Sequence, residues 1–86
     1  MEKSNVDKIF QIAEKLLHDE ISFSLNGQSN KSLEQLKAIL KELQTMKRVL
    51  SIKTFVPNYP RWIVDCWEYD ELGNKLMELA VLYEKL

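Results

Sequence analysis

Apolar residues recur at helical spacing over most of this chain. Val6, Ile9, Phe10, Ala13, Leu16, Leu17 and Ile21 follow one another at steps of three and four, which predicts an amphipathic helix over about residues 5–20. Ser4 followed by Asp7 marks its start, a hydroxyl to cap an amide and a carboxylate near the positive helix end. His18 and Asp19 lie off the stripe. A second stripe, Leu33, Leu36, Ile39, Leu40, Leu43, Met46, Val49 and Leu50, predicts a helix over about 32–50, opened by a capping box of Ser32 and Gln35.

Between the two helices the pattern changes. Residues 21–25, ISFSL, alternate with a period of two before the turn dipeptide Asn26-Gly27. A short strand entering a hairpin fits the alternation, but GQSNKSL supplies no partner strand. The preferred reading is a frayed helix end with Phe23 and Leu25 folded back on the core.

After residue 50 the pattern changes again. Phe55 to Tyr69 holds both prolines, both tryptophans and the cysteine of the chain. Val56 and Tyr59 precede prolines and are biased away from helical angles, whereas Pro60 suits the first residue of a helix. Trp62, Ile63, Cys66 and Trp67 then share one helical face, which predicts a short helix over about 60–69. Asp70 caps a last helix over about 71–85 with the stripe Leu72, Leu76, Leu79, Ala80, Tyr83 and Leu86. Met77, Val81 and Leu82 lie beyond that stripe, so this helix is expected to be central in a bundle or shared with another chain. The reading is an all-α fold, a small helical bundle of three to four helices forming a single domain over 1–86.

Composition supports this. The chain has 86 residues, 45% hydrophobic and 29% charged, with two glycines and two prolines, too few for the turns of an all-β fold. A domain of this size buries only about 60% of the surface its unfolded chain exposes, so each large aromatic matters to the core. One cysteine forms no internal disulfide, the N-terminus has no signal-peptide pattern, and no window has the length of a membrane span. A cytoplasmic protein that does not enter a membrane is expected.

The net charge of −1 is unevenly distributed. Residues 1–30 carry three bases and five acids, 31–61 seven bases and two acids, and 62–86 two bases and six acids. Alternating signs suit antiparallel packing of successive helices. They also leave a basic face on the second helix, Lys37, Lys41, Lys47 and Arg48, as a candidate surface for nucleic acid. Against that stand a pI near 5.8 and the absence of interleaved aromatics.

Candidate chemistry is sparse. One histidine and one cysteine make no metal set, and no phosphate-cradling glycine loop exists. Cys66 with His18 as base lacks an orienting group, so Cys66 is read as a buried, inert thiol. Asp65, Glu68, Asp70 and Glu71 are read as a solvated face plus a helix cap rather than a Mg²⁺ site. Neither a cofactor nor a metal is expected, and no motif resembles a particular family.

The aromatic segment therefore carries the functional expectation. The leading reading is a non-enzymatic protein–protein interaction module, with a protein partner or a second copy as a homodimer, through Tyr59, Arg61, Trp62 and Tyr69 and the apolar last helix. The alternative is a nucleic-acid-associated regulator using the basic face. Within the segment, Trp67 is expected inward beside Cys66, covered by Leu72 and Leu76. Trp62 is expected nearer the surface with Tyr59 and Arg61.

Overall fold

The first helix, α1 (Glu2–Leu25), is longer at both ends than its stripe predicts. At the start, glutamate and lysine are good helix formers and no breaker precedes Ser4, which lies inside the helix rather than capping it. At the far end nothing in ISFSL interrupts the backbone bonding. The stop comes at Gly27, whose φ of +74° only glycine adopts without strain. Gln28 N–H donates to the Phe23 carbonyl at 2.8 Å and Gly27 N–H to that of Ser24 at 3.1 Å, the paired bonds of a Schellman cap. The Asn-Gly pair thus ends a helix instead of making a hairpin. Phe23 and Leu25 are 47% and 65% exposed, not folded back on the core.

The computed structural model describes residues 2–67 and 70–86. It is an all-α small helical bundle, about three-quarters helical, with four helices and no strand among the described residues. A polar loop follows α1, held by a hydrogen bond from the Ser29 hydroxyl to the Glu20 carboxylate. It leads into α2 (Leu33–Val49), whose cap Ser32 accepts from Gln35 N–H at 3.3 Å as the spacing predicts. Leu36, Ile39, Leu43 and Met46 are fully buried. The helix closes on Leu50, a left-handed residue whose N–H donates to the Met46 carbonyl at 2.8 Å.

After a connector come α3 (Tyr59–Cys66), with Pro60 in its first turn, and α4 (Glu71–Glu84). The third helix ends earlier than predicted because Trp67 turns extended, at φ −105° and ψ 145°. Asp70 caps α4 as expected, accepting from Gly73 N–H at 2.8 Å. Met77 and Leu82 of α4 pack against the core, while Val81 is 49% exposed.

Side-chain bonds define the direction of each helix. Lys31, just before α2, pairs with Asp70 at the head of α4. At the opposite end the Tyr83 hydroxyl donates to the carbonyls of Ser51 and Phe55, at 2.7 and 2.8 Å. Helices α2 and α4 therefore run the same way. Helix α1 runs against both and packs on both, and α3 lies on α4. Val6, Phe10, Ala13 and Leu17 of α1 meet the buried stripes of α2 and α4 in one core. The molecule measures 38 × 22 × 21 Å, and among the described residues no helix is long and apolar enough to cross a membrane.

Candidate partner-binding groove

The aromatic segment is held in place by a glutamate from another helix. Glu42 lies three residues after Ile39 and four before Met46, on the buried side of α2, and is 9% exposed. Its carboxylate accepts from Asn58 N–H at 2.9 and 3.0 Å, from the Asn58 amide group at 3.2 Å and from Tyr59 N–H at 2.8 Å. These are amides at the start of α3, which have no partners within their own helix. Asn58 makes no side-chain cap of its own. A negative charge at a helix N-terminus is also favoured by the helix dipole. Glu42 thus joins α2 to α3 across sixteen residues of sequence.

Tyr59, predicted at the partner-binding surface, is fully buried. Its hydroxyl donates to the Leu76 carbonyl at 2.8 Å. Burial pushes the phenol far above its ordinary pKa, and the charge of Glu42 adds to the effect. The reason for its inward position is backbone geometry. With Glu42 fixing the first amides of α3, Tyr59 and Ile63 share the face turned to α4 and the core, and the residues between them face outward.

Arg61 is exposed, and Trp62 is half-buried with one side packed against the core. Together with Ile52, Val56, Pro57, Pro60, Ala80 and Glu84 they line an open groove of about 420 Å³ between the connector, α3 and the end of α4. Val56, 64% exposed, stands on its wall. Arg61 supplies a positive charge to the groove and Glu84 a negative one. Tyr69, also predicted here, lies outside the described residues, as does Glu68.

The other tryptophan lies at the opposite end of α3. Trp67 Nε1–H donates to Gln35 Oε1 at 2.8 Å, and Lys31 Nζ sits 5.2 Å from the ring centroid. The predicted division into an inward Trp67 and an outward Trp62 is not found, since both rings are half-buried against the core. A groove of about 490 Å³ runs past Lys31, Ser32, Gln35, Cys66, Trp67 and Asp70. Cys66 is exposed rather than buried, because α3 ends there and Ile63 takes the inward position one turn earlier. Burial resists ionisation of Asp70, but the Lys31 hydrogen bond and the Gly73 amide outweigh it and hold the carboxyl below its usual range.

On α2, Lys37, Lys41, Lys47 and Arg48 are all exposed. Lys47 pairs with Glu14 of α1 at 3.4 Å, while Lys37, Lys41 and Arg48 make no ion pair among the described residues. His18 is exposed on α1, and Asp65 and Glu71 are exposed as predicted. Sequence reasoning missed Glu42, although its spacing within the apolar stripe placed it on the buried face. Compared with protein-family models, curated proteins and solved structures, the chain matches none of them.

Proposed function

We propose that this chain is a non-enzymatic protein–protein interaction module, with the groove around Trp62 as its contact surface. The supporting observation is the half-buried Trp62, which lines a groove with Pro57, Pro60 and the exposed Val56, on a helix that Glu42 and Tyr59 hold to the bundle. Tryptophan and arginine are enriched at interface hot spots, and a preorganised groove lowers the entropy lost on binding. The partner is a protein segment that sets an apolar side chain against Trp62 and Val56 and a carboxylate against Arg61.

The test is affinity capture with the wild-type chain and with Trp62→Ala and Arg61→Glu, followed by titration of the captured protein in purified form. Trp62→Ala should weaken binding by about 2 kcal/mol, roughly thirtyfold, while the circular dichroism spectrum stays helical. Unchanged affinity in both variants would remove the groove as the contact surface.

A second reading, a nucleic-acid-associated regulator, draws support from the exposure of Lys37, Lys41 and Arg48 in one line along α2. It requires DNA or RNA binding that declines steeply as salt rises. No binding at low salt would eliminate it.

A further inference from the structure

The exposed flank of α1 carries a feature that the groove around Trp62 does not use. Ile9, Leu16 and Phe23 recur at seven-residue spacing, with Ile12 between the first two, so these residues form a seam along one side of the helix. Ile9 and Leu16 are half-buried, one side packed on the core, while Ile12 and Phe23 are 42% and 47% exposed. Lys15 and Asp19, four residues apart and both exposed, border the seam on the same flank. Neither belongs to an ion pair among the described residues.

We propose that this seam binds a second copy of the chain, α1 against α1 in antiparallel orientation about a twofold axis at Leu16. The charged flank is self-complementary in that orientation. Ile9 and Phe23 stand seven residues on either side of Leu16, so each Ile9 meets Phe23 of the second copy. A twofold axis brings like flanks together. With a rise of about 1.5 Å per residue, Lys15 of one copy then lies within about 3 Å, along the axis, of Asp19 of the other. Two reciprocal ion pairs result, against a single like-charge approach between the two Lys15 side chains at the same axial offset. A parallel twofold arrangement would instead place the Lys15 and Asp19 flanks of the two copies on opposite sides of the seam, so that these ion pairs would not form. The contact is short, at the small end of specific interfaces, so the dimer dissociates on dilution.

The test is light-scattering mass on the full chain over a hundredfold range of concentration. The mass should rise from 10.1 kDa towards twice that value. Ile12→Glu and Phe23→Glu, both at exposed positions, should stay helical by circular dichroism and stay monomeric. Asp19→Lys alone should weaken association on the order of tenfold, since it replaces attraction by repulsion at two places. Combining it with Lys15→Asp should restore the wild-type mass curve, an effect that lost folding cannot imitate. Trp62→Ala should leave the curve unchanged, which separates this contact from the partner groove. A wild-type chain that remains at 10.1 kDa throughout overturns the proposal, as does a dimer that survives Ile12→Glu and Phe23→Glu.

Discussion

The two tryptophans of this chain, one inside the short helix α3 and one just past its end, are both half-buried, yet their surroundings differ in kind. Trp67 is engaged on its polar edge and on its face, its N–H by Gln35 and its ring by the Lys31 ammonium, which also holds Asp70. Trp62 makes no side-chain hydrogen bond among the described residues, and its groove is bounded by Val56, Pro57 and Pro60. One ring is a latch that joins the starts of α2 and α4. The other is surface left over once the core is complete. Two half-buried aromatics can thus differ in role because one has its polar atoms satisfied within the molecule. Relative exposure alone would not separate them.

The comparison depends on α3 being fixed, and the largest expected effect tests that. Glu42→Leu keeps the side-chain volume close but leaves the buried amide of Tyr59 and the partly buried one of Asn58 without an acceptor. The loss should be about 3–4 kcal/mol, read as a lower urea midpoint with an unchanged slope. A loss below about 1 kcal/mol would mean that water replaces the carboxylate, and the rigid groove would no longer follow.

Glu42 also shows where the sequence was legible and where it was not. Most signals that act within one turn read correctly, the Ser4 start excepted: the Ser32 cap, the Asp70 cap and the apolar stripe of α2 all stand where spacing puts them. Signals whose meaning depends on distant chain did not. At Asn26-Gly27 the missing partner strand did select the helix end over a hairpin, but the expected folding back of Phe23 and Leu25 on the core failed, since both are exposed. Tyr59 and Trp62 are both aromatic and near prolines, but Glu42 pins Tyr59 at the start of α3 and so turns it inward. Cys66 became exposed because α3 stops at Trp67, a boundary that no local breaker encodes. The groove was partly legible for the same reason: Arg61 is exposed as expected, Trp62 is half-buried rather than outward, Tyr59 is buried, and the glutamate that organises them went unread.

The next effect contrasts the two rings directly. Trp67→Ala should cost roughly 2–3 kcal/mol, since it removes half-buried aromatic area and the interactions with Gln35 and Lys31 together. Trp62→Ala removes area alone and should cost roughly 1–2 kcal/mol. Partner affinity should show the reverse order, with Trp62→Ala the damaging change. If thermal melts place the two variants at the same midpoint, the latch at Trp67 adds nothing and the distinction between the rings fails.

The smallest effect concerns the ion pair beside Trp67. Its interactions hold the Asp70 carboxyl below its ordinary 3.8, the Lys31 hydrogen bond and the Gly73 amide prevailing over burial. A carboxyl depressed in the folded state stabilises the fold fully above its unfolded value, and that contribution fades as pH falls through the folded value. Acid titration below pH 3.8, followed by urea midpoints, should therefore show a wild-type loss that Asp70→Asn lacks. Asparagine still caps α4 by accepting from Gly73 N–H, so the variant isolates the charge from the cap. Because Asp70 is 41% exposed at its side chain, solvent screens the pair and the difference should be small. Added salt should narrow it further. Lys31→Met should lower stability at neutral pH more in the wild type than in the Asp70→Asn background, where only the contact with the Trp67 ring remains to be lost, the coupling expected of a true pair. Parallel acid curves for wild type and Asp70→Asn would show that Lys31 does not hold the carboxylate. The latch at Trp67 would then rest on Gln35 and the Lys31 ammonium over the ring, without the charge of Asp70.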